Sequence, residues 1–435
     1  MAGSDTPPPT TADPAPRDIQ ALTGLRFLAA LSVAMAHGVQ HIVPFAGAKP
    51  LWHLLLSQLS AIGMPLFFVL SGFVIHYNYA SIVRAGSGRR IFNFFVARFT
   101  RIYPLFVICL FADLAWKFCY AQLPATTGQA LPFYLTMTQS WVFRLLAGQS
   151  LIFQFGWSPQ VAWSVSTEWF FYCAYPLVCL LVMRLRTAQS TRVAIGLLVA
   201  VASGGLIFGA QFAQVIDGFA ATSIDPAAGA GGGNLSFRFW LFYFSPYLRI
   251  LEFLLGCLCA HLIMKLRDRP PEAAERRAGL GLTVVAAALT VGLYLLLYPL
   301  VGYVVVLSPY LVLIRQGFGL ALPCALLIFC CARYDNPIVR LLASPRLVLC
   351  GEASYSLYLL HMVVIDGFRF ESADSGISAL VTVGNLMRLA VTIVTAIGLS
   401  LVSWQVVEIP ARRFLRSRLT VRSNPVGTDP APQPA

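Results

Sequence analysis

The chain has 435 residues, 58% of them hydrophobic and 11% charged, with a net charge of +13. Soluble domains carry about 25% charged residues, so a large soluble mass is excluded and the chain reads as an integral membrane protein. In a soluble protein such a cation surplus would point to nucleic acid; in a membrane protein its first cause is the Lys and Arg that collect in cytoplasmic loops.

Residues 1–18, rich in Pro, Thr and Ala, read as a disordered tail, without the basic start and short apolar core of a cleaved signal. Residues 416–435, ending SNPVGTDPAPQPA, read the same way, which leaves 19–415 as one transmembrane domain. Runs apolar enough to cross about 30 Å at about 1.5 Å per residue fall near 20–42, 58–79, 101–120, 161–183, 193–215, 244–264, 278–299, 310–332, 346–367 and 385–408. The expected fold is therefore an all-α polytopic bundle of ten helices. Segment 131–152 is aromatic, Pro-flanked and interrupted, and reads as interfacial or re-entrant; residues 216–243 hold a Gly-rich linker. Ten spans put both termini on one side. Placing that side in the cytoplasm gives its tails and loops 22 of the 31 Lys and Arg, against five outside, in unbroken alternation. The ten cysteines lie in or beside apolar runs and show no metal-ligand spacing. They read as small buried hydrophobes, and no metal site is expected.

A charge near the middle of a span costs roughly 2.5–3.5 kcal/mol on insertion scales, which makes each one a functional candidate. Arg26 and His37 are eleven residues apart on the first span, about three turns, so they share a face roughly 16 Å apart along the axis. Each also has a plain reading: Arg26 snorkels to the interface, and His37 makes an interhelical hydrogen bond. In RRIFNFFVARFTRIYP, Arg98 and Arg101 stand one turn apart, either as a topology-setting flank or as a cradle whose guanidinium forks grip phosphate. Glu168 in WSVSTEWFFYCAYP and His361 in SYSLYLLHMVVI are expected to join His37 at one depth in the outer half, from three separate helices. Arg249 and Glu252 are spaced for an intrahelical ion pair. Asp113 and Arg315 are further intramembrane charges with no evident partner. Glu408, just before Pro410, closes the last span at the depth of Arg26, and an Arg26–Glu408 ion pair is expected there.

Together these pieces resemble acyltransferase family 3, a family of integral-membrane O-acyltransferases. The matching pieces are Arg26 and His37 on the first span, GMPLFFVLSGFVI, RFTRIYP, WSVSTEWFFY, YLRILEFLLG, SYSLYLLH and VEIP, in order over residues 20–415. The resemblance implies transfer of an acyl group, usually acetyl, from cytoplasmic acyl-CoA to a hydroxyl of a carbohydrate, glycoconjugate or other acceptor, in the cell membrane and with no permanently bound cofactor. It implies that His37 is the catalytic histidine, Arg26 its motif partner, Arg98 and Arg101 the arginine pair, and Glu408 the carboxylate near Arg26. Some relatives carry a fused extracytoplasmic hydrolase-like domain, which is not expected here. The chemistry of the residues fits: an imidazole acts as general base or carries the acyl group covalently, Glu168 and His361 orient it, and arginines dock phosphates. Trp141, Trp157 and Trp163 can stack on sugar rings, or can form an interfacial belt. The competing class is a transporter or flippase for a lipid-linked or small polar solute, which also lines a path with charges; no two-fold repeat supports it.

Overall fold

The computed structural model describes residues 17–43, 50–84, 86–229, 233, 235–300, 314, 317–368 and 379–421. Its main helices are α1 (Arg17–Ile42), α2 (Ser60–Arg84), α3 (Gly88–Tyr120), α4 (Trp163–Val182), α5 (Ala188–Gln211), α6 (Pro246–Leu266), α7 (Ala273–Leu300), α8 (Ala321–Arg333), α9 (Pro345–Glu352), α10 (Ser354–Phe368), α11 (Ala379–Ser403) and α12 (Ile409–Leu419). They form an all-α polytopic bundle. Among the described residues, eight helical segments are long and apolar enough to cross a membrane, and a ninth arises when α9 and α10, bent by 67°, count as one. The span expected at 310–332 is described from Phe318 onward as a shorter apolar helix. Its beginning, with Arg315, lies outside the described residues.

Small residues set the closest approaches, as membrane bundles require when apolar burial cannot drive helices together. At the α2–α6 crossing, a Cβ on Gly72 would fall on the Phe253 carbonyl and one on Gly256 on the Val69 carbonyl. Gly24 of α1 likewise meets the Leu342 carbonyl, and Gly351 of α9 meets that of Thr23. Helix α1 packs against α2, α9 and α10. Aromatic rings fill the centre: Phe171 stacks on Phe253 with centroids 5.0 Å apart, and Phe68 meets Phe171 edge-on at 5.3 Å. By contrast α5 shows large apolar side chains such as Leu197 and Val201 outward.

Among the described residues, two π-helical turns interrupt the regular helices, Trp240–Phe244 before α6 and Trp404–Glu408 between α11 and α12. Between α3 and α4 the chain folds into a cap. A helix (Thr127–Leu135) leads to a hairpin pairing Leu145–Leu146 with Gln149–Ser150, and then to a short helix (Trp157–Val161). Ala147 and Gly148 turn the hairpin with φ of 49° and 75°, the primed geometry that matches strand twist. Tyr134 Oη donates to the Ile152 carbonyl at 2.6 Å, and Ser140 Oγ lies 2.8 Å from Ser166 Oγ on α4. Segment 131–152, expected as interfacial or re-entrant, is thus a folded cap packed into the main core.

Candidate functional site

Arg26 of α1, Arg98 and Arg101 of α3, and Glu168 of α4 all line one cavity of about 70 Å³, together with Ser71, Tyr172, Tyr355 and Tyr358. Arg98 is the most enclosed of these three arginines, at 6% exposure. Its Nη2 donates to Tyr79 Oη at 2.8 Å, and its guanidinium lies 4.8 Å from the Tyr79 ring centroid. Its Nε, buried among the cavity walls, has no hydrogen-bond partner. Glu168 accepts from Ser71 Oγ at 2.8 Å and from Tyr172 Oη through the same oxygen. Three guanidinium groups with one carboxylate leave the chamber a surplus of donors facing inward, the composition that suits a phosphate or polarised carbonyl.

Beyond the chamber stand the two histidines. His37 Nδ1 lies 2.8 Å from His361 Nε2, with ring planes 13° apart. His361 is 1% exposed, and its Nδ1 lies 3.3 Å from the Leu357 carbonyl. A carbonyl only accepts, so His361 carries its proton on Nδ1 and presents a lone pair at Nε2. That lone pair accepts the Nδ1 proton of His37, which leaves the lone pair of His37 on Nε2, free to take a proton from a third group. Tyr358 connects the two places: it lines the chamber, and its ring centroid is 5.9 Å from that of His361.

Three ionisable groups were expected at one depth, and two of them meet there. Ser164 Oγ donates to Tyr358 Oη at 2.7 Å, which sets α4 and α10 level at these residues. Glu168 lies one turn beyond Ser164 toward the arginines and His361 nearly one turn the other way, about 10 Å apart along the bundle. Glu168 belongs to the arginine chamber.

The expected Arg26–Glu408 ion pair is not formed. Glu408 accepts from Ser356 Oγ of α10, and the charges acting on it are those of Arg101 and Arg412. The carboxylates acting on Arg26 are Glu352 and Glu168. Glu408 ends a π turn, whose extra residue shifts its facing from that of a regular helix. The Arg249–Glu252 pair does form, at 2.6 Å and buried, with Arg249 Nε donating to the Tyr243 carbonyl at 2.8 Å. Asp113 pairs with Lys117 at 2.9 Å.

Sequence reasoning passed over Glu352 and the tyrosines. Tyr355, Tyr358 and His361 recur at three-residue spacing, a signal for one helix face, but tyrosine in an apolar helix carries no charge to draw notice. A second pair, His76 and His261 at 3.3 Å, was also missed; its outer nitrogens are taken by Tyr175 Oη and the Leu185 carbonyl, a satisfied core arrangement.

Against known proteins, residues 19–405 match the acyltransferase domain of acyltransferase family 3. The chain belongs to that family. This acyltransferase is 30% identical over 425 residues, 95% of its own length and 97% of the other, to "Acyltransferase MdmB" of Streptomyces mycarofaciens. It is 35% identical over 106 residues, 24% of its own length and 49% of the other, to "Protein 2 in picA locus" of Rhizobium radiobacter. No solved structure matches it. Family 3 membership and the multi-pass helices make the protein a membrane acyltransferase.

Proposed function

We propose that the protein is an O-acyltransferase of the cell membrane that moves an acyl group, typically acetyl, from cytoplasmic acyl-CoA to a hydroxyl of a carbohydrate or glycoconjugate. The observation that carries this reading is the His37–His361 hydrogen bond, which leaves a lone pair on His37 Nε2, in a pair that Tyr358 links to a chamber lined by three arginines. In this reading the arginine end faces the cytoplasm. Arg98 and Arg101 hold a phosphate group of the donor in the arginine chamber, and the thioester arm runs on from there toward the histidines. His37 Nε2 takes the proton of the acceptor hydroxyl as its oxygen attacks the thioester carbonyl. The C–S bond breaks, the ester C–O bond forms, and the proton passes from His37 to the departing thiolate. His361 accepts from His37 Nδ1 throughout and stabilises the imidazolium that forms transiently. Arg26, with Glu168 held by Ser71 and Tyr172, supplies the fixed charge along the arm.

The test is release of coenzyme A thiol from radiolabelled acetyl-CoA by full-length protein in lipid nanodiscs, with a cell-envelope glycan extract as acceptor. Wild type should release thiol and label the glycan. His37→Ala should lose activity by about 10²–10⁴-fold, the usual range for a positioned general base, while still inserting and eluting as wild type does. No thiol release by wild type, or full activity in His37→Ala, would overturn the proposal.

A further inference from the structure

At the end of the bundle away from the arginine chamber, the cap meets the ends of α3 and α10. Trp157 Nε1 donates to Asp366 Oδ2 at 2.6 Å, and Ser158 Oγ donates to the Leu359 carbonyl at 2.5 Å. The Trp157 ring centroid lies 5.5 Å from that of Trp116, which in turn lies 4.5 Å from that of Tyr120. Trp116 is 49% exposed, and Asp366 is exposed as well. The Asp113–Lys117 ion pair flanks this platform beside Gly156, where a Cβ would stand 3.4 Å from Asp113 Oδ1 and 3.7 Å from Lys117 Nζ.

The backbone adds an independent observation. Trp157 has φ of 45°, a left-handed conformation that bulky residues avoid and that clusters at binding and active sites. A tryptophan that only anchors a membrane interface needs neither this conformation nor a carboxylate on its indole nitrogen. Here both anchors tie the ring to α10, the helix that carries His361. Asp366 follows His361 by five residues, about 7.5 Å along the axis.

We propose that Trp116, Trp157 and Asp366 form the acceptor subsite and that its ligand is a sugar ring, an assignment that rests on the acyl-transfer reading above. The exposed Trp116 ring, with the half-buried Trp157 ring beside it, covers the apolar C–H face of the sugar ring. Asp366 Oδ2 holds the indole N–H, leaving Oδ1 to accept a sugar hydroxyl, and Lys117, anchored by the buried Asp113, serves a hydroxyl at the opposite edge. A sugar seated there turns its inner hydroxyl toward His37. Donor and acceptor then enter from opposite ends of α3, since Arg101 and Trp116 are fifteen residues, or about 22 Å, apart.

Saturation-transfer NMR tests this with full-length protein in nanodiscs and three probes, the methyl glycosides of glucose, rhamnose and N-acetylglucosamine, with cyclohexanol as the sugar-free control. Wild type should transfer saturation to the ring C–H protons of at least one glycoside and none to cyclohexanol. Trp157→Ala should weaken that glycoside at least tenfold. Asp366→Asn, which keeps the side-chain size, should weaken it severalfold, and Gly204→Ala on α5, where nothing stands within 4 Å, should leave it unchanged. No transfer from any of the three glycosides, or equal transfer in wild type, Trp157→Ala and Asp366→Asn, would overturn the subsite. Wild type that releases coenzyme A thiol yet binds no glycoside here loses the subsite and keeps the acyl-transfer reading. Glycoside binding that depends on Trp157, without thiol release, keeps the subsite and loses acyl transfer.

Discussion

His361 is buried while His37 is only half-buried, and that difference divides their roles. The enclosed imidazole, with both nitrogens engaged, acts through its partner as a positioning residue, whereas His37 keeps one nitrogen free. His361→Ala should therefore lower kcat by about tenfold to a hundredfold, less than the loss in His37→Ala, and His361→Gln, which retains an acceptor, should recover part of it. An equal loss in His361→Ala and His37→Ala, with no rescue by Gln, would reverse this order. The arginines should separate from the histidines kinetically. Contacts between guanidinium and phosphate exist in the ground state, so Arg98→Ala and Arg101→Ala should raise the donor KM with little change in kcat. Lysine at either position should rescue partly, because the fork geometry is lost. Arg98 and its partner Tyr79 could not be paired from the sequence, since the two lie on different helices and neither spacing nor charge joins them.

Glycines decide how closely the helices of the bundle approach. At Gly72 and Gly256 a methyl group would collide with backbone carbonyls, while at Gly204 on α5 nothing stands within 4 Å. Gly256→Ala should destabilise the bundle by about 1–3 kcal/mol, the usual cost of overpacking a core. Gly204→Ala should be neutral or stabilising by up to about 1 kcal/mol, from helix propensity. Thermal melting of both variants in the same detergent checks the contrast, and equal melting temperatures would refute it. The same logic shows why one expected contact failed. Counting residues from the helix ends brought Arg26 and Glu408 to one level, but the π turn at Trp404–Glu408 shifts the facing of Glu408, whose carboxylate accepts from Ser356. A charge swap between Arg26 and Glu408 is accordingly expected to rescue nothing, whereas Ser356→Ala should leave Glu408 without its hydroxyl partner and lower stability.

The alternation of cationic loops predicts that both termini share one side. Reporter fusions at residues 17 and 421 should both read as cytoplasmic, and one inserted near Gly148 in the cap hairpin should read as external; any other combination would invert the bundle and exchange the donor and acceptor ends proposed above. How much of this was legible beforehand follows from which signals are local. Hydropathy acts residue by residue over a span, so helix existence and approximate extent could be read from the chain, as could the Arg249–Glu252 pair, whose members are one turn apart on a single helix. Arg26, His37, Glu168 and His361 stand out in the chain because each is costly in an apolar helix, and Arg98 and Arg101 stand out as an arginine pair one turn apart. Which of them meet was not local. Depth along a helix can be counted in the sequence, but facing direction depends on breaks and π turns and on where glycines let backbones touch. Only the tertiary structure could decide that His37 faces His361, that Glu168 sits with the arginines, and that Trp157 of the cap reaches Asp366, since each of these contacts joins residues far apart in the chain and is fixed by how the helices pack.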